Sequence, residues 1–81
     1  MTAVAPVAIR GDLIRLGQFL KVADAVDQGS DVKALLATGA VSVNGEVETR
    51  RGRQLHVGDL VTVGTTGYRI VEPGAEQDVR G

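Results

Sequence analysis

The 81-residue sequence contains no cysteine or tryptophan, one histidine, and two aromatic residues, Phe19 and Tyr68. Without cysteine neither a disulfide framework nor a thiolate metal site can form, and His56 alone cannot build a histidine-based metal site. With so few aromatic rings, the core is expected to consist of Val, Leu, Ile and Ala. The chain also has no aromatic platform on which the bases of single-stranded nucleic acid would stack.

The sequence also lacks signals for export, for membrane insertion and for catalysis. Its first stretch, MTAVAPVAIRGD, has no basic segment and no long apolar run, and Pro6 interrupts it. We therefore predict a cytoplasmic protein with no membrane partner. No glycine-rich loop joins a strand to a helix, and His56 has no cysteine or second histidine to act with. These absences predict a protein that is not an enzyme and that holds no cofactor and no metal.

Length and apolar patterning predict one small domain. A chain of 81 residues has room for a single hydrophobic core, and we assign residues 1–72 to it. Residues 73–81 lack apolar periodicity and are predicted to form a flexible tail. No stripe of the kind that mediates dimerisation is present, so we expect a monomer.

Two helices are predicted in the first half of the chain. Apolar residues at i, i+3, i+4 and i+7, starting at Leu16, predict a helix over residues 16–24. Ser30 is a favourable N-cap for a second helix over residues 30–38. Gly39 is suited to end that helix in the left-handed conformation.

The remaining apolar runs predict strands. Residues 7–9 and 13–16 are expected to pair as a hairpin, and residues 41–43, 60–63 and 68–71 are further strands.

Asn44-Gly45 is the strongest hairpin signal in the sequence. A two-residue turn there would set Val43 against a glutamate, so we favour a three-residue loop that sets Val43 opposite Val47. Glu46 and Glu48 are then expected on a solvated face of the hairpin.

Three arginines, Arg50, Arg51 and Arg53, crowd around Gly52, although the formal net charge is −1 and the pI is 5.7. Such clusters often form exposed ion pairs, and Glu48 is near enough in sequence to provide them. Arginine also presents a planar fork that suits phosphate, and a glycine lets the backbone approach a ligand closely. Composition alone leaves both a solvated hairpin and a phosphate-binding loop open.

Lys33 is a second unusual choice. It lies in the first turn of the predicted second helix, where its charge opposes the helix dipole by about 0.3–1 kcal/mol. Glu or Gln there would complete a capping box with Ser30. A helix start with free N–H groups, a serine hydroxyl and a lysine suits a phosphate. Asp31 would repel one, so a solvated lysine held by local packing is the alternative.

The order and spacing of several motifs resemble a known family. The run GSDVKALLATGAVSVNGEVETRRGRQLHVGDLVTV, preceded by LGQFLKVADAV, resembles the S-four type RNA-binding domain, named for protein four of the small ribosomal subunit. The similarity spans about residues 14–63 and is to small, stand-alone bacterial members. Its most specific pieces are ALL followed by Gly39, the VNG turn, TRRGR, and Gly58-Asp59.

The resemblance implies an α+β fold with an alpha-L type RNA-binding motif, in which two short helices pack against a small, bent, mostly antiparallel sheet. It also implies non-catalytic binding of structured RNA, either ribosomal or ribosome-associated, with no preference for DNA. Asp31 departs from the family pattern, in which an arginine often follows the serine. Carried over by position, the RNA-facing residues are Lys21, Ser30, Lys33, Asn44, Arg50, Arg51 and Arg53.

Two other functions stay open. VNGEVETR followed by VGD is also similar to the last part of ubiquitin-like sulfur-carrier proteins, which act through a C-terminal Gly-Gly, whereas this sequence ends Val79-Arg80-Gly81. The other alternative is a protein-interaction module whose arginines pair with an acidic partner.

Overall fold

The computed structural model describes residues 3–27 and 29–73, and the predicted tail falls outside them from residue 74 onward. None of the helices in the described part is long and apolar enough to span a bilayer. In chain order the elements are β1 (Ala3–Ala8), β2 (Leu13–Arg15), α1 (Leu16–Val22), α2 (Val32–Ala37), β3 (Val41–Val43), β4 (Glu46–Val47), β5 (Gln54–His56), β6 (Leu60–Val63) and β7 (Thr66–Val71).

Five of the strands form one mixed sheet in the order β1-β7-β6-β3-β4. β1 runs parallel to β7, and the other neighbours in this sheet are antiparallel. β2 and β5 form a separate antiparallel pair. The predicted α+β fold, with two short helices and a mostly antiparallel sheet, is confirmed.

The core lies where the two helices meet both sheets, and it is aliphatic apart from one ring. Phe19 is fully buried and makes an edge-to-face contact with Tyr68, with ring centroids 6.4 Å apart. The predicted apolar stripe of α1 is therefore the buried face of that helix. The buried apolar residues are Ile9, Leu16, Phe19, Leu20, Val32, Leu36, Val41, Val43, Leu55, Val61 and Ile70.

The predicted hairpin between residues 7–9 and 13–16 is wrong. β1 instead pairs in parallel with β7, so that Val7 lies beside Ile70. β2 pairs with β5, which sets Ile14 beside Leu55. Each run meets a well-buried apolar partner far along the chain, and local sequence patterns do not reveal such long-range pairings.

The predicted three-residue loop at Asn44-Gly45 is also wrong. Both residues have positive φ, 52° and 88°, as a two-residue turn of the I′ type requires. Val43 therefore pairs with Glu46. Val47, which the prediction set opposite Val43, is 62% exposed. In the register that this turn sets, the Glu48 N–H donates to the Val41 carbonyl and the Glu48 side chain is buried. The two-residue turn is tolerated because that buried carboxylate has charged partners.

The N-cap of α2 lies one residue later than predicted. Asp31, not Ser30, is the N-cap, and its carboxylate accepts the Ala34 N–H at 3.1 Å. Ser30 Oγ accepts the Asp27 N–H at 3.1 Å and so belongs to the preceding turn. Gly39 has a φ of 81° just after the helix, as predicted.

The two possible caps can be separated by stability measurements. Asp31→Ala is expected to lower the free energy of unfolding by about 0.5–2 kcal/mol, because the Ala34 N–H loses its acceptor. Ser30→Ala is expected to lower it less, since its hydroxyl accepts the N–H of Asp27 in an exposed turn and does not cap the helix. Urea denaturation of both variants makes the comparison. A larger loss for Ser30→Ala would contradict the cap assignment.

Candidate functional site

The arginine loop, residues 50–53, connects β4 to β5 and is fastened to the start of α1. The Leu16 N–H donates to the Arg53 carbonyl at 2.8 Å, and the Gly17 N–H donates to the Arg51 carbonyl at 2.8 Å. The first N–H groups of a helix have no partner within the helix, and the residue before α1, Arg15, provides no side-chain cap. The loop carbonyls therefore cap α1, which fixes the backbone from which the arginine side chains project.

Gly17 is the point at which the two helices and the arginine loop meet. A Cβ on Gly17 would lie 3.3 Å from the Arg51 Cβ and 3.7 Å from Val32 Cγ1. The 3.3 Å contact is tighter than most that a Cβ makes, so a side chain at position 17 would require Arg51 to shift by a few tenths of an ångström, whereas the distance to Val32 is an ordinary contact. Val32 begins α2, so the start of that helix and the arginine loop approach Gly17 together. Lys33, which is exposed, directly follows Val32.

Glu48 lies beneath the arginine loop and is 6% exposed, so the expectation of a solvated Glu48 is wrong. Its Oε2 accepts the backbone N–H groups of Thr49 and Arg50 at 3.0 and 2.9 Å. The Arg50 guanidinium donates from Nε to Oε2 and from Nη2 to Oε1, both at 3.1 Å. Arg53 Nη1 donates to Oε1 at 2.8 Å. Every neighbour that Glu48 binds therefore stabilises its charged form.

These contacts shift the pKa values of Glu48 and Arg50. The Arg50 side chain, followed by the Arg50 backbone N–H and the Arg53 guanidinium, holds the pKa of Glu48 well below its ordinary value of 4.5. Glu48 in turn raises the pKa of Arg50. Glu48 therefore remains a carboxylate, and the ion pairs remain formed, well into the acidic range.

The arginine loop keeps a positive, accessible outer edge despite these ion pairs. The Arg50 side chain is 74% exposed and that of Arg53 is 33% exposed, while both donate to Glu48. Arg51 is exposed, and it has no ion-pair partner among the residues that the structure describes. Three guanidinium charges against one carboxylate leave the loop positive, and Arg50 binds Glu48 through one side of its planar fork only.

Arg15 joins this cluster, although the sequence did not predict it. It lies on β2 opposite Gln54, and its Nη1 is 4.0 Å from the position that a Cβ on Gly52 would occupy. Sequence reasoning missed it because β2 was assigned to a hairpin with β1. Glu48 and Gly17 were missed as well, since their roles depend on contacts between segments. No signal in the sequence marks these three residues as parts of one site.

The other residues that were predicted to face RNA do not all lie at the arginine loop. Asn44 is engaged within the protein: its Nδ2 donates to Asp59 Oδ1 at 3.1 Å, and its Oδ1 accepts the Leu60 N–H at 3.0 Å. Lys21 lies in the last turn of α1, at the end away from the arginine loop. Ser30 belongs to the turn before α2. At the start of α2 the Asp31 carboxylate accepts the Ala34 N–H, so one of the N–H groups of the predicted phosphate cradle is already bound, and the cradle stays a prediction.

Beside the arginine loop lies an open hollow of about 600 Å³, lined by Arg50, Gly52, Arg53, Gln54, His56 and Asp59. Its lining is polar, whereas sites for small molecules are usually enclosed and mostly apolar. Within residues 3–27 and 29–73, no group of three or more His, Cys, Asp or Glu side chains is placed to hold a metal ion. The geometry suits contact with an extended anionic surface.

Comparisons with known proteins agree with the motif pattern. A family model described as S4 domain matches residues 7–71, a span that contains the arginine loop and both helices. A Bacillus subtilis (strain 168) protein named probable ribosome maturation protein RlbA is 43% identical over 67 residues. That alignment covers 82% of this chain and 94% of the relative.

The buried carboxylate gives a distinctive pH dependence of stability. Because folding lowers the pKa of Glu48, its contribution is complete above its ordinary pKa of 4.5 and is lost as the pH falls below that value. Wild type is therefore expected to lose more stability on acidification than Glu48→Gln, which lacks this group. Urea denaturation at neutral and acidic pH measures the difference.

Glu46→Gln is the matched control, because it removes the same charge from an exposed position on β4. Its loss of stability on acidification is expected to equal that of wild type. If Glu48→Gln loses as much stability in acid as wild type does, the carboxylate is not held by the arginines.

Proposed function

Because this chain belongs to the S4 domain family, we propose that it is a small, non-catalytic protein that binds structured RNA through its arginine loop. The observation that carries the proposal is the pairing of Arg50 and Arg53 with buried Glu48 beside an exposed Arg51. We propose that Arg15, whose guanidinium lies near Gly52, extends this surface from β2 and that exposed Lys33 extends it from the start of α2. Such a surface would be locally positive on a protein of net charge −1.

The shape and chemistry of this surface favour folded RNA. Arginine forks suit phosphate oxygens, and several of them on neighbouring segments suit a backbone with fixed phosphate positions. Phe19 is fully buried and Tyr68 is half-buried against it, so neither offers an open face for stacking bases. Recognition would therefore rest on backbone geometry and 2′-hydroxyl groups, with little readout of sequence.

We further propose that the RNA is ribosomal RNA or an RNA of an assembling ribosomal particle, bound in the cytoplasm. The support is the relative from Bacillus subtilis, whose name is that of a probable ribosome maturation protein. We also propose that this protein acts as a monomer, because the sequence has no apolar stripe of the kind that mediates dimerisation. The S4 domain match spans the stretch that resembled a sulfur carrier, so this family assignment takes the place of that alternative.

The predicted site residues have different places in the surface that we propose. We place the arginine loop, Arg15 and Lys33 at the centre of the surface. Asn44 would act indirectly, because its side chain holds the β3–β4 turn to Asp59 and Leu60. We propose that Lys21 and Ser30 lie at the margin of the RNA-binding surface.

Arg51→Ala is the cleanest test of phosphate contact. Arg51 does not bind Glu48, so its loss removes one charge without disturbing the buried carboxylate. We expect weaker binding to a range of RNA stem–loops, and a plot of log affinity against log salt that is flatter by about 0.7–0.9. Arg69→Ala is the matched control, since Arg69 is exposed on β7 and donates to the Gly58 carbonyl. Its salt slope is expected to equal that of wild type.

The triple change of Arg50, Arg51 and Arg53 to Ala is expected to weaken binding further. It also strips Glu48 of both guanidinium partners, so circular dichroism must show that the variant is folded. Unchanged salt slopes in both Arg51→Ala and the folded triple variant would contradict the proposal. Partners that co-purify equally with and without ribonuclease would favour the protein-interaction alternative.

Arg15→Ala tests whether the surface extends onto β2. The Arg15 guanidinium lies beside Gly52, so its removal is expected to weaken stem–loop binding and flatten the salt slope by a similar ~0.7–0.9. Filter binding or fluorescence anisotropy across a salt series measures both quantities. Affinity and slope equal to those of Arg69→Ala would place Arg15 outside the surface.

A further inference from the structure

Two like-charged side chains are held side by side by one carboxylate oxygen. Glu48 Oε1 accepts Arg50 Nη2 at 3.1 Å and Arg53 Nη1 at 2.8 Å. The other oxygen, Oε2, accepts Arg50 Nε and two backbone N–H groups of the same segment. Because the carboxylate is also fixed to the backbone, the two guanidinium groups have set positions before any ligand arrives.

Attraction for a polyanion alone does not explain this carboxylate. A loop that only had to attract RNA would bind more tightly without Glu48, because each carboxylate cancels one positive charge. Ion pairing with Glu48 occupies donors on both Arg50 and Arg53 that would otherwise be available for phosphate. Its presence therefore reduces general affinity for nucleic acid and fixes the arrangement of those two side chains in return.

We propose that Glu48 is a positioning residue that determines specificity, making the arginine loop prefer folded RNA to flexible single strands. This inference rests on the proposed function. Ordering one long side chain on binding lowers affinity by about two- to twelvefold. Glu48 removes this loss for Arg50 and Arg53 when the ligand also has fixed phosphate positions. A single strand adapts to arginines in any arrangement, so it gains little from their order and loses the attraction of the cancelled charge.

Arg51 provides an internal contrast for this role. It projects from the same loop with its carbonyl bound to the Gly17 N–H, but its guanidinium is not held by Glu48. The loop thus combines two oriented arginines with one that adjusts to its ligand. Orientation is a property of the two side chains bound to Glu48 and not of the loop backbone alone.

The experiment compares Glu48→Gln with Glu46→Gln, using an RNA stem–loop and an oligouridylate of equal length as probes. Both substitutions remove one negative charge, but only Glu48 binds the arginines. In Glu48→Gln we expect the affinity ratio of stem–loop to oligouridylate to fall by about fivefold or more. The salt slope for the oligouridylate should steepen by up to about 0.7. Glu46→Gln should keep the wild-type ratio.

These readouts separate positioning from a loss of structure. Partial unfolding would weaken binding to both probes and would not steepen the salt slope. A ratio unchanged in Glu48→Gln, or one that falls equally in Glu46→Gln, would overturn the inference while leaving RNA binding itself intact. If wild type bound neither probe in a salt-dependent way, both the proposed function and this inference would fall.

A measurement on the wild-type protein serves if Glu48→Gln does not fold. NMR relaxation of the arginine Nε–H groups in the free protein reports their order on the picosecond to nanosecond timescale. The Arg50 Nε–H, which donates to Glu48 at 3.1 Å, is expected to be ordered, and that of Arg51 to be mobile. Equal mobility of the two groups would overturn the inference.

Discussion

The carboxylate of Glu48 is the group on which the geometry of the arginine loop depends. It is 6% exposed, and a buried charge is tolerated only when it is paired and hydrogen-bonded. Glu48 meets that condition with two arginine side chains and two backbone N–H groups. The need to satisfy this one buried charge orients two of the three arginines of the loop.

The backbone of the loop is constrained from the opposite side by α1. Its first N–H groups require acceptors, and the carbonyls of Arg51 and Arg53 provide them. Gly17 permits this because the absence of a side chain lets the loop and Val32 approach the same point on α1. A helix start, a second helix and a loop thus share one junction, and the exposed cationic groups around it belong to segments that are distant in the sequence.

The sequence was most informative where local patterns decide structure. The apolar stripe of α1, the left-handed Gly39 and the crowding of arginines around Gly52 are local features, and the family motifs lie in a fixed order. Pairings across the chain were not accessible in the same way. The partner of β2 and the burial of Glu48 depend on which segments meet in the fold, and Arg15 enters the site only through that pairing. The preference for a three-residue loop failed because it treated Glu48 as a solvated charge.

The central claim is that the arginines around Glu48 contact an RNA backbone together. The most direct measurement is an NMR titration of the protein with an RNA stem–loop, followed through the arginine Nε–H resonances. The account predicts concerted shifts of Arg15, Arg50, Arg51 and Arg53 with one binding constant, while Arg69 remains unchanged. Shifts that concentrate on Arg69 and leave the arginine loop unaffected would contradict it.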